Sequence, residues 1–167
     1  MQFEILQEIE FSEVKHRFEE ACPPDHHTRT WTENVLNLTQ SLCRAWALVR
    51  IHRDQLGSVR LPWHKSKEDA NGYEVVPPTG RLLSKVASDL DAIQRDAPGF
   101  VKGIVKFSHE PLGLIFLSEV IPRDEPSYAK MIAEPGDLVC LDGLHRLIAR
   151  WKFGLPSNEV ELIVALA

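Results

Sequence analysis

Five consecutive residues near the end of the chain, Asp142-Gly143-Leu144-His145-Arg146, join side chains and backbone in an order that favours an anion. They follow the apolar run Leu138-Val139-Cys140-Leu141 and open the periodic stretch Leu144, Leu147, Ile148 and Trp151, which stops at Gly154. That order predicts a strand covered on both faces, a tight turn and a helix ended by a left-handed glycine. A helix N-terminus offers unpaired N–H groups and about half a positive charge, so the backbone of Gly143, Leu144, His145 and Arg146 would stabilise a phosphate before any side chain acts. Arg146 adds a planar fork suited to phosphate oxygens. His145, with an ordinary pKa of about 6.5, could donate a hydrogen bond to the same phosphate or move a proton. Asp142 could hold Mg²⁺, orient His145 or cap the helix. With Asp142 as N-cap, Gly143 as turn residue and His145 exposed in the first turn, the segment would need no ligand at all. His145, Arg146 and Arg150 all fall off the apolar stripe.

Other histidines are secondary candidates. Asp25-His26-His27 resembles the aspartate and histidine element of metal-dependent phosphoesterases, although the further ligands of those enzymes are not found; in the plainer reading His26 or His27 packs against Trp31. Trp63-His64 ends a predicted strand, where the indole could stack on an adenine or close over it, or simply pack in the core. His109 lies in the polar connection Ser108–Gly113, between two stretches that read as strands.

The elements that must position these groups are legible from periodicity. Phe11, Val14, Phe18 and Ala21 predict a helix over 11–21, closed by Cys22-Pro-Pro-Asp. A second helix is expected from Thr30, where Thr30 and Glu33 have capping-box spacing, with Val35, Leu38, Leu42 and Ala45 as its stripe. Strands over 47–52 and 58–63, separated by Asp54-Gln-Leu-Gly57, are expected to pair as a hairpin. A polar loop over 64–80 leads to a helix through Leu82, Val86, Leu90 and Ile93, ended by Asp96-Ala-Pro-Gly99. Strands are then expected over 100–107 and 114–121, a short helix around 129–132, and a last strand over 159–166 that turns Val160, Leu162, Val164 and Leu166 inward.

Composition limits the partners. The 167 residues carry nineteen Lys and Arg against twenty-four Asp and Glu, a net charge of -5, which disfavours nucleic acid or an anionic membrane face and favours a small-molecule substrate. Three cysteines, Cys22, Cys43 and Cys140, cannot all pair within one chain and lack zinc-site spacing, so reduced thiols in a cytoplasmic protein are expected. The N-terminus is acidic where a signal peptide is basic, and no apolar run is long enough to span a bilayer.

The segment LVCLDGLHRLIARWKFG, with the following EVELIVAL, resembles the nucleotide-binding motif of the ParB and sulfiredoxin superfamily, and within it the free serine kinases. Those kinases carry Asp-Gly-His-His-Arg at the strand-to-helix turn. Asp142, Gly143, His145 and Arg146 match, whereas Leu144 stands where the kinases have their first His. The resemblance covers the last thirty or so residues, with the 82–93 helix as the one preceding the central strands. It implies an α+β fold, a ParB/sulfiredoxin-like mixed sheet with flanking helices and a helical N-terminal extension. The chain would be a single domain, 1–167, with a helical segment over 1–50 packed on a nucleotide-binding core over 51–167. It also implies a small-molecule kinase that transfers a phosphoryl group from ATP or ADP, with Mg²⁺ at Asp142, to the hydroxyl of an amino-acid-like metabolite. In those kinases a Glu, often in a His-Glu pair, is the general base, which makes Glu110, after His109, the counterpart, with Glu119 as substitute. The alternatives are a non-catalytic nucleotide or phosphometabolite sensor, which Leu144 favours, and a metal-dependent hydrolase or lyase built on His26, His27, His64 or His109. Sulfiredoxin chemistry is not expected, because Cys140 falls inside the strand rather than in the turn.

Overall fold

A computed structural model describes residues 1–66, 72–109, 113–154 and 157–167. The architecture is α+β, a mixed seven-stranded sheet with helices on both faces. In chain order the sheet is built from β1 (Glu4–Ile9), β2 (Ala45–His52), β3 (Arg60–Leu61), β6 (Arg81–Leu82), β7 (Phe116–Ser118), β8 (Val139–Asp142) and β9 (Glu159–Leu166), while β4 (His64–Lys65) and β5 (Glu74–Val76) form a small separate ladder. The spatial order is β1-β2-β9-β7-β8-β3-β6, and among the described residues only β7–β9 and β3–β8 pair in parallel.

The final strand sits at the centre. All eight residues of β2 pair antiparallel with β9, from Ala45↔Leu166 to His52↔Glu159, so the N-terminal fifty residues contribute two strands to this sheet as well as helices. Alternation along β9 then assigns two faces. Val160, Leu162, Val164 and Leu166 point to one core, and Ile163 and Ala165 to a second on the opposite side. The second core takes helices α1 (Phe11–Ala21), through Val14 and Phe18, and α2 (Arg29–Gln40), through Val35 and Leu36. The first takes α3 (Leu83–Ser88), α4 (Leu90–Asp96), α5 (Pro98–Phe107) and α6 (Leu144–Phe153).

Several expectations are corrected. The stretch 100–107 is the helix α5, not a strand: Pro98 occupies its first turn, where the fixed φ suits a helix start, and Phe100 and Ile104 bury one face. Pro98-Gly99 therefore opens an element instead of closing one. The 47–52 and 58–63 segments do not form a hairpin, because 53–58 winds into a 3₁₀ helix and β3 pairs with β6 and β8. The helix expected through 82–93 is two helices broken at Asp89, whose carboxylate accepts from Arg81. The second helix begins at Arg29 and ends at Gln40; Glu33 pairs with Arg29 at 2.9 Å, and Leu42 is exposed while Ala45 opens β2. No helix forms over 129–132: residues 129–130 lie in a turn and 131–132 have no regular structure.

Candidate functional site

The strand, turn and helix at the heart of the resemblance form as expected. Asp142 is the last residue of β8, Gly143 turns the chain at φ 89°, and α6 starts at Leu144. The left-handed φ strongly favours glycine, and there is no room for more: a Cβ on Gly143 would lie 2.5 Å from Ile115 Cδ1. The N-cap position belongs to Gly143, which has no side chain to cap with, so the first turn of α6 receives no side-chain cap. Asp142 is not that cap. Its carboxylate instead accepts from Arg146 Nη2 at 3.3 Å, with the two side chains 25% and 23% exposed.

Arg146 is held between two glycines. A Cβ on Gly113, where φ is 66°, would come within 2.7 Å of Arg146 Nη1, so the guanidinium lies directly over the Gly113 backbone. One side of the fork is thus committed to Asp142, and the other is pressed to a bare stretch of chain.

His145 leaves the apolar stripe to enter an aromatic cluster. Its ring lies 5.0 Å from Phe100 and meets His64 edge to face at 5.5 Å, and His64 in turn lies 5.2 Å from Phe100. Gly103, one turn along α5 from Phe100, lies beside the imidazole edge, where a Cβ would make ordinary contact with His145 Cδ2 at 3.6 Å. Burial lowers the His145 pKa to about 4, helped by His64, Arg146 and His27. Near neutrality the ring is uncharged, which makes it a hydrogen-bonding group and leaves Arg146 as the permanent cation of the turn.

The other side of the turn is covered by the segment joining α1 to α2. Burial pushes the Asp142 carboxyl up from its ordinary range, against the opposing pull of Arg146, the Gly143 N–H, His26 and the Thr32 hydroxyl. Cys22 is also raised, first by burial and then by the Asp142 charge. His26 Nδ1 accepts from the Thr28 hydroxyl at 2.9 Å, and the His26 and His27 rings stack on each other at 4.7 Å. Neither packs on Trp31, which stacks on Tyr128 and donates to Glu125 at 3.0 Å. Trp63, 37% exposed, donates to Glu74 at 2.9 Å.

The structure therefore gathers Asp142, His145 and Arg146 with His26, His27 and His64 from three distant parts of the chain. It does not gather all the candidates. Glu110 lies outside the described residues. His109 is exposed in the turn that follows α5, rather than between two strands. Glu119 is excluded as a base at this turn: Phe116 pairs with Asp142 and Ser118 with Val139, so Glu119 follows at the far end of β8, roughly 10 Å away at about 3.4 Å per residue, and accepts from the Ala167 N–H. Arg150, expected off the core-facing stripe, is buried. Among the described residues no three His, Cys, Asp or Glu side chains are grouped to hold a metal ion. The sequence reading missed Thr32, Phe100, Gly103 and Gly113; only the glycine ahead of the 114–121 apolar run, at a point requiring positive φ, carried a local signal.

No helix among the described residues is long and apolar enough to cross a membrane. No curated protein and no solved structure matches the chain. One family model does match, over residues 3–167, and by that match the chain belongs to the family of unknown function DUF6309.

Proposed function

We propose that this chain binds a nucleotide by its phosphates at the Asp142–Arg146 turn and transfers a phosphoryl group to the hydroxyl of a small, amino-acid-like metabolite. The observation that carries the reading is the Arg146 guanidinium, fixed by Asp142 and Gly113 beside the uncapped first turn of α6, where backbone N–H groups and a permanent cation converge. The mixed sheet and the strand-turn-helix unit support a ParB/sulfiredoxin-like fold. Phosphoryl transfer is mostly positioning and charge neutralisation, which this arrangement suits.

Magnesium fits the turn in one way only. Asp142 supplies a single hard carboxylate with no grouped partners among the described residues, so the remaining ligands would be phosphate oxygens and water, a common arrangement for this ion. When bound with nucleotide it would neutralise phosphate charge. Asp142 would exchange its Arg146 contact for that role, while neutral His145 donates to a phosphate oxygen.

A second reading, a nucleotide or phosphometabolite sensor without turnover, is favoured by Leu144 in place of the kinases' first His and by the low basicity of His145. Thermal shift with ATP, ADP and Mg²⁺, followed by ADP release in the presence of hydroxyl amino acids, tests both. Stabilisation with turnover supports the kinase, and stabilisation without it supports the sensor. Absence of any nucleotide-dependent shift overturns both.

A further inference from the structure

We infer that α6 carries a second oxyanion site, one turn beyond Arg146, at Arg150 and Arg53. Arg150 is only 9% exposed, yet its guanidinium makes no hydrogen bond or ion pair with any described residue. A buried guanidinium without a counter-charge is costly, and natural structures pair such groups or leave them facing water or ligand. No described side chain retains a fully enclosed polar atom without a partner, so the unpaired Arg150 nitrogens are not sealed from solvent, and Arg150 lines an adjoining cavity. That cavity, about 150 Å³, is lined by Arg53, Asp54, Leu56, Arg150 and Trp151.

The walls are fixed by the fold. The 3₁₀ helix at 53–58 presses Gly57 against the Trp151 ring so closely that a Cβ there would meet the indole at 2.7 Å. The Arg53 N–H donates to Asn158 O at 2.8 Å, which anchors the second arginine to the chain entering β9. The one carboxylate in the lining, Asp54, is turned to His52 Nδ1 at 3.4 Å and Arg53 Nε at 3.7 Å. Two guanidinium groups against one carboxylate leave a net positive lining. At about 30 Å³ per water the cavity has room for roughly five waters, enough for a phosphate or carboxylate group. It falls below the roughly 300 Å³ at which pockets begin to enclose drug-sized ligands. The site is accordingly one for a small oxyanion, separate from the turn at Asp142–Arg146.

The test is equilibrium dialysis of the full chain against labelled inorganic phosphate at constant ionic strength, with wild type, Arg53→Ala, Arg150→Met and Arg146→Ala, each checked for an unaltered melting transition. Phosphate affinity at this site should fall about tenfold in Arg53→Ala and in Arg150→Met, while Arg146→Ala keeps it. Should Arg150→Met fail to fold, the half-buried Arg53 position carries the test. Acetate competition ranks the two oxyanions, and either one held through Arg53 and Arg150 supports the site. Phosphate binding that is absent, or that survives both Arg53→Ala and Arg150→Met, overturns the inference. Loss of nucleotide binding in Arg146→Ala bears on the proposed function alone, so the two failures are distinguishable.

Discussion

His64 and His145, far apart in sequence, meet edge to face at 5.5 Å with ring planes at 84°. The contact joins the small β4–β5 ladder to the first turn of α6, and it places an uncharged imidazole where the sequence alone suggested an exposed one. Its consequence is measurable. His145 should titrate near 4 by NMR, well below the ordinary 6.5. A depressed folded pKa contributes stability above pH 6.5, and that contribution is lost as pH falls from about 6.5 towards 4, since the unfolded chain protonates first. His145→Gln should flatten this part of the stability profile. An imidazole titrating at 6.5 in the folded protein would contradict the burial described.

Arg146→Ala should weaken nucleotide or phosphate binding by about 1.5–3 kcal/mol, the range for hydrogen bonds to charged groups. Calorimetry reads this directly, and unchanged affinity removes the turn as the site.

Asp142→Asn should leave the folded protein as stable as wild type or more so near neutrality. The raised carboxyl pKa means that the folded state holds the proton more tightly than the unfolded chain. Ionised Asp142 therefore weakens the fold at pH values above its folded pKa, and this penalty vanishes as pH falls below the ordinary 3.8. Urea denaturation of both proteins across this range should show the advantage of Asn shrinking towards acid. A residue retained at a cost in stability is expected where charge serves binding.

Gly143→Ala should destabilise by about 2–4 kcal/mol, since it combines a left-handed backbone strain of about 1–2 kcal/mol with overpacking against Ile115. Chemical denaturation is the measurement, and a neutral substitution would refute the turn geometry.

Thiol reagents should label Cys22 and Cys43 in the folded protein and spare Cys140, which is buried in β8 with its thiol pushed well up by burial. All three should react after denaturation. Labelling of Cys140 at the same rate as Cys22 would show that β8 is not enclosed.

Local pattern carried α1 and the β8-to-α6 turn, because each is a periodic run closed by strong punctuation, Cys22-Pro23 and Gly143 respectively, and it carried β9 through the alternation of Val160, Leu162, Val164 and Leu166. It misassigned 100–107, where Val101, Ile104 and Val105 favour a strand, whereas Pro98 in the first turn and packing of Phe100 and Ile104 beside α6 select the helix. The turn's own residues were recognisable in the same way. The convergence of His26, His27, Thr32 and His64 on it was not, since it depends on which faces of the sheet the helices cover, and no spacing along the chain encodes that.

The placement of β9 between β2 and β7 also bears on synthesis. Before Glu159–Leu166 leaves the ribosome, the β1–β2 pair and the β7–β8 pair each present an open, hydrogen-bond-ready margin with nothing to join them. Emerging chains would hold two apolar half-sheets apart until the last strand slots in, a long-range closure that is slow and exposes aggregation-prone edges meanwhile. Insertion of β9, rather than the growth of any single helix, would then set when this protein acquires its native centre.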